Sequence, residues 1–343
     1  MRRGLIARAE SELPNAVFDT RLERLRAAMQ GLDALVVYTN NTRPAAVSWL
    51  TGFIPYWSEA MLVVPRDGLP VLVVALTFRV KPWIERTSRV AEVVHAPRIG
   101  IETARLIAGR KADAAVGVVD FDHLPAGIVD DFREAGPRLA LTDASDLFAL
   151  VRAPADPAEI MLTSRASSIA ADALSRIDPS ERASDVVAAV EGGARQRGAE
   201  EIYVAVVPDL ARDQRLIRLE GEVALGRRFS VRASVAYKGS WVRRVVTLDR
   251  DGPVADVAGA FAAAIARLPS DCALSQFSSF VVEGCRTAQP LEALMGSHVA
   301  APRPPCAGAL VSVQACIAVD GRPVLFGAPV LVGTSGAAAS IFP

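Results

Sequence analysis

Histidine is scarce in this chain of 343 residues: only His95, His123 and His298 occur. Cysteine is almost as rare. Cys272, Cys285, Cys306 and Cys316 all lie in the last quarter, and none forms a C-x-x-C pair. A zinc centre or a redox dithiol is therefore not expected, and buried reduced thiols are the plain expectation. No window approaches eighteen uninterrupted apolar residues, so no membrane span is expected. The first ten residues, Met1 to Glu10, carry basic side chains but no apolar core of signal-peptide length, which makes a cytoplasmic location the expectation. Lys and Arg number 38, as do Asp and Glu, for a net charge of zero. There is no basic excess for nucleic acid. Short-period repeats and low-complexity tracts are missing too.

What is present is apolar mass. Hydrophobic residues make up 51% of the chain, and the length suggests two domains. Residues 21 to 150 alternate helical and strand patterns. Leu22, Leu25 and Met29 share one helical face, and Ala34 to Tyr38 is a short apolar strand. Leu62–Val64 and Pro70–Ala75 flank Arg66-Asp67-Gly68 as a hairpin. Ala115–Val119 is a further buried strand. These features predict an α/β domain with a mixed sheet over residues 1–150. Val151 to Pro157 is proline-rich and reads as a linker. Asp156-Pro157-Ala158-Glu159 then opens a helix, and Ser184 to Arg197 makes a second. Strand-like runs follow at Tyr203–Val207, Phe229–Ala236, Arg244–Leu248, Ala309–Val313 and Val330–Val332, with a helix over Val254–Leu268 between them. An α+β domain over residues 158–343, with helices on one face of an antiparallel sheet, is the expectation.

The segment from Gly226 to Arg244 carries the strongest motif. It resembles G-D-x-V-x-x-D-x-G-x-x-Y-x-G-Y-x-x-D-x-T-R, a stretch of the methionine aminopeptidase, prolidase and creatinase superfamily. Gly226, Tyr237 and Gly239 keep its spacing. Other motifs are similar to family patterns in the same order: Ser48–Phe53 to Y-L-T-G-F, Asp156–Ile160 to a K-x-x-x-E-I helix start, Gly308–Ala315 to G-M-V-x-x-x-E-P, and Val330–Gly336 to a closing V-L-V-T-x-x-G hairpin. The resemblance covers about residues 20 to 343. It implies a creatinase-like N-terminal α/β domain, a C-terminal pita-bread (M24-like) domain and a homodimer. Retention of Ser48–Phe53 implies that the N-terminal domain helps close the pocket of its own or a neighbouring subunit.

The departures from the pattern decide the chemistry. The two aspartates that bridge metals in the family fall on Arg232 and Arg243. The first catalytic histidine falls on Gln214 or Arg215, and the later one near Phe280–Glu283, where no histidine stands. The first metal glutamate falls on Gln314 and the second near Gly327. A guanidinium has no lone pair to offer a cation, and divalent metals of this class need clustered carboxylates and imidazoles. No metal and no other cofactor is expected.

Two arginines in one concave site repel by on the order of 1–4 kcal/mol at about 4 Å, and burying unpaired charge costs more. An anion between them relieves both, because arginine grips carboxylate or phosphate bidentately. A protein carboxylate (Glu283, Asp209 or Asp213) could serve instead. Candidate substrate-binding residues are Arg232, Arg243, Gln314, Trp241 and Gln214. Trp241 offers a stacking surface for a planar ligand, against the plainer reading of strand packing. Candidate catalytic residues are Glu283, Tyr237 and Cys316, the last two residues beyond Gln314 and so on its face of a strand. The expected function is a metal-independent, creatinase-like enzyme acting on a small anionic molecule at a C–N bond. A noncatalytic pseudo-peptidase that binds a small molecule or a protein is the alternative, and a metallo-aminopeptidase a distant third.

Overall fold

The computed structural model describes residues 10–41, 43–55, 58–254, 257–266, 279–284, 306–319, 321–333 and 340–342, with 279–284 described in their backbone. Cys272, Cys285 and His298 lie outside the described residues, as does the end of the Val330–Gly336 motif. The chain divides into two units, Met1–Arg152 and Ala153–Pro343.

The N-terminal unit runs α1 (Asn15–Ala28), β1 (Ala34–Asn40), α2 (Ala45–Thr51), β2 (Glu59–Pro65), β3 (Val71–Val74), α3 (Lys81–Thr87), β4 (Glu92–His95), α4 (Ile99–Arg110), β5 (Ala115–Val119), α5 (Ala126–Ala135), β6 (Ala140–Asp143) and α6 (Ser145–Arg152). Its sheet has the order β4-β3-β2-β1-β5-β6. β1 pairs antiparallel with β2 and parallel with β5, so the sheet is mixed. Both faces of the central strands are covered, and β1, β2, β3 and β5 therefore read as largely continuous apolar runs. Leu35 and Val37 pack with α1, α2, α3 and α6, whereas Val36 packs with α4 and α5. Helix α1 starts six residues before the predicted Arg21, directly after Pro14, whose fixed φ suits a helix start. Helix α2 ends at Gly52, which has φ 80°. Only glycine takes that left-handed turn without strain.

The C-terminal unit runs α7 (Pro157–Leu174), α8 (Ala183–Gln196), β7 (Glu201–Val207), β8 (Arg228–Tyr237), β9 (Ser240–Asp249), α9 (Ala258–Ile265), β10 (Ser279–Gly284), β11 (Leu310–Val319), β12 (Arg322–Leu331) and β13 (Ser340–Ile341). Helix α7 opens with a capping box. The Asp156 carboxylate accepts from the Glu159 N–H at 2.9 Å, and Glu159 accepts from the Asp156 N–H at 3.3 Å. The sheet runs β10-β11-β12-β9-β8-β7, antiparallel throughout, with β13 beside β12.

Side chains alternate between its two faces. Val231, Ala233 and Val235 of β8 pack under α7 and α8. Val311, Val313 and Ala315 of β11 pack against α9. The intervening residues point to the other face, called the inner face below. There Ala205, Val207, Val245, Cys316 and Leu325 form an apolar cluster with Leu210 and Leu216 from the β7–β8 loop. None of the described helices is long and apolar enough to cross a membrane.

Candidate functional site

One row of paired residues crosses six strands of the inner face: Ala205, Arg232, Val245, Gly327, Gln314 and Val281. Arg232 is 0% exposed, and its Nη1 donates to Gln314 Oε1 at 3.5 Å, near the long limit for such a bond. Arg243 belongs to the next row, opposite Ser234, and is 4% exposed. Being diagonal neighbours on adjacent strands, the two arginines share a face. Every position here other than Val245 and Val281 is polar or small. Ser234 Oγ, Ser312 Oγ and Gln314 Nε2 are fully buried and have no hydrogen-bond partner among the described residues. A buried donor left unmade costs about 1–3 kcal/mol, so three on one face mark it as a place built for acceptors.

Gly327 shows how tightly this row is packed. A Cβ there would lie 2.8 Å from Val245 Cγ2 and 3.0 Å from Gln314 Cγ. Farther along, the Ser230 and Thr247 hydroxyls meet at 2.7 Å, and Thr247 Oγ1 both donates to the Leu325 carbonyl and accepts from its N–H. These bonds tie β9 to β12 beneath the apolar cluster.

Of the residues named from sequence, Arg232, Arg243, Gln314 and Trp241 stand on the inner face. Cys316 is there too, 0% exposed, but its neighbours in the cluster are aliphatic. Tyr237 requires a correction. It lies five residues from Arg232 on one strand, an odd separation, and packs on the helix side. The Arg165 guanidinium of α7 sits over its ring at 6.0 Å. Tyr237 therefore cannot serve the inner face. Gln214 lies in the β7–β8 loop, where its N–H donates to Asp213 Oδ1.

Asp209 and Asp213, offered as carboxylates for the arginine pair, bond within that loop instead. Asp213 pairs with Arg215 at 2.7 Å, and Asp209 accepts from the Ala211 N–H and faces Arg212 at 3.4 Å. Glu283 pairs in backbone register with Ser312. Arg244, next to Arg243, faces the helices. It donates to Ser167 Oγ and the Phe342 carbonyl, and burial holds its guanidinium below its ordinary pKa.

Sequence reasoning missed two inner-face residues. Glu201 pairs with Ala236 and Tyr203 with Ser234. Glu201 is 4% exposed, and Tyr203 donates its hydroxyl to Glu201 Oε2 at 3.0 Å. The Tyr203 ring stacks on Trp241, with centroids 5.5 Å apart and planes at 27°. Strand alternation alone could have marked Glu201 and Tyr203 as sharing a face.

Residues 21–153 match the Creatinase/Prolidase N-terminal domain family. That match takes in most of the N-terminal unit. Solved structures extend the likeness to nearly the whole chain. The prolidase of Pyrococcus horikoshii OT3 superposes with a TM-score of 0.71 at 14% identity, covering 94% of this chain and 97% of its own. Dipeptidase PepE of Mycobacterium ulcerans gives 0.67 at 19% identity, with 96% of each chain covered. The N-terminal domain of FACT complex subunit SPT16 from Cicer arietinum (chickpea) gives 0.63 at 12%, also with 96% of each. Comparison with curated proteins gives no match. At these identities the shared property is the creatinase/prolidase-like fold: an α/β N-terminal domain followed by an α+β pita-bread domain. Its relatives include dipeptidases and a subunit of a complex, so the fold alone does not decide the chemistry.

The metal that such peptidases imply does not suit this donor set. Arg232 and Arg243 offer only donors, Gly327 offers no side chain, and the Gln314 oxygen accepts from Arg232. Among the described residues, no three His, Cys, Asp or Glu side chains are grouped to hold an ion.

Proposed function

We propose that the inner face of the pita-bread sheet binds a small anionic molecule and works without a divalent metal. One observation carries this reading: Arg232 and Arg243 share a buried face with three donors, Ser234 Oγ, Ser312 Oγ and Gln314 Nε2, that find no acceptor among the described residues. Charge-assisted hydrogen bonds in such a setting contribute roughly 1.5–3 kcal/mol each. The reaction class that suits a creatinase-like protein with this site is hydrolysis or rearrangement at a C–N bond of the anion. Proton transfer is assigned in this reading to Glu201, buried on the inner face, and to Glu283, whose backbone pairs with Ser312. Noncatalytic binding is the second reading. It is favoured by Tyr237 lying on the helix side. The protein works as a homodimer in either case, which size-exclusion chromatography with light scattering checks.

Thermal shift against a panel of carboxylates and phosphates tests the binding claim. A ligand at a hundred times its Kd stabilises by about 2.7 kcal/mol. At least one anion should raise the melting temperature of the wild type and raise that of Arg243→Ala by about half as much or less. If none does, the reading fails. Release of ammonia or amine from the stabilising compound separates enzyme from binder. Elemental analysis of purified protein should show far less than one manganese, cobalt, zinc or iron per chain, and chelator should leave melting unchanged.

A further inference from the structure

Resting on the anion-binding reading above, we infer that the ligand's charged group is carried on a planar conjugated system that stacks on Trp241. Trp241 and Arg243 are alternate residues of β9, so both side chains leave the inner face of the same strand. They are about 7 Å apart along the strand. An acid held by the Arg243 guanidinium therefore extends its body over the indole without turning.

The aromatic surface is held in place. Tyr203 supports one face of Trp241, at 5.5 Å and 27°. Its hydroxyl is in turn held by the buried Glu201 carboxylate at 3.0 Å. Opposite Trp241 in register stands Ala236, 2% exposed, with nothing beyond Cβ to cover the indole. Burial is graded along this face. Arg232 and Gln314 are 0% exposed and Arg243 4%, whereas Trp241 and Tyr203 are only partly buried. The charge-binding end is sealed, and the aromatic end is where a ligand's body lies. A flat π-system satisfies that end by offset stacking and accepts a cation at its edge. A saturated ring of the same size gains only area burial.

Isothermal titration of benzoate and cyclohexanecarboxylate into the full chain tests this, because the two acids share charge and closely match in size. Wild type should bind benzoate about 3- to 10-fold more tightly. In Trp241→Leu the two affinities should fall within about 2-fold of each other, through loss at benzoate alone. Trp241→Phe should keep most of the preference, and it stands in if the leucine variant does not fold. Equal affinities in wild type overturn the inference, as does a preference that persists in Trp241→Leu. Binding of inorganic phosphate but of neither ring acid overturns it while leaving the anion site standing. Failure of all three probes removes the anion-binding reading together with it.

Discussion

Replacing Gly327 with alanine drives a methyl group into two side chains at once. The new Cβ meets Val245 Cγ2 at 2.8 Å, Val245 Cβ at 3.2 Å and Gln314 Cγ at 3.0 Å. Ordinary carbon contacts lie near 3.5–4.0 Å. Rotating the valine about χ1 moves Cγ2 away but leaves Cβ where it is. Val245 is 1% exposed and Gln314 0%, so neither has free space to enter. Both are paired across from Gly327 or its partners on neighbouring strands, which keeps the backbone from yielding. Overpacking of this kind costs about 1–3 kcal/mol. For a unit of this size each kcal/mol moves the melting temperature by about 2–4 °C, so the C-terminal transition should fall by about 2–12 °C. Circular dichroism melts of Gly327→Ala, Val245→Ala and the double variant measure it. The space vacated by Val245→Ala should accept the new methyl, so the double variant should be more stable than additivity predicts by more than about 0.5 kcal/mol. An unchanged melt for Gly327→Ala, or strict additivity, would refute the packing argument. The same crowding means that Gly327→Glu should destabilise the protein without creating a manganese site, which metal titration of that variant checks.

Arg243→Ala and Arg232→Ala should each weaken binding of a stabilising anion by about 10- to 150-fold, the effect of losing a charge-assisted bond, with a smaller change in melting. If the arginines instead serve pairing within the protein, titration calorimetry will show unchanged affinity and the melts will show the loss. Tyr38 should ionise late. Burial, followed by the hydrogen bond it donates to Glu59 at 2.7 Å, pushes its phenol up to about 12. A folded-state value above the unfolded one favours the fold below pH 10. That contribution is lost as pH rises from about 10 to 12, so Glu59→Gln should flatten the stability profile in this window and lower the tyrosine step in ultraviolet titration. Asp156→Ala removes the N-cap of α7 and should cost about 1 kcal/mol in chemical denaturation, whereas Asp156→Asn should cost less.

The two-unit organisation, the mixed sheet beneath continuous apolar strands and the capped start of α7 all follow from local patterns. Period, proline position and capping residues act over a few neighbours along the chain. The same holds for placing Arg232 and Arg243 together, since an eleven-residue spacing around the Lys238-Gly239 turn, with φ 47° and 80°, leaves them on one side of a hairpin. Strand alternation also separates Tyr237 from Arg232, and naming it a site residue gave a motif match precedence over that period of two.

Other features depended on which strands lie side by side. Gln314 reaches Arg232 only because β12 and β9 stand between their strands in one register, with Gly327 leaving room for the contact. Glu201 and Tyr203 join the face because β7 pairs with β8 after a loop of about twenty residues. No local pattern encodes that closure, since a long loop constrains neither partner nor register. Local pattern alone put two arginines, Arg232 and Arg243, on one face of the β8–β9 hairpin. Only the tertiary structure decided which serine, glutamine and aromatic side chains share that face, because sheet register brings together residues more than eighty positions apart.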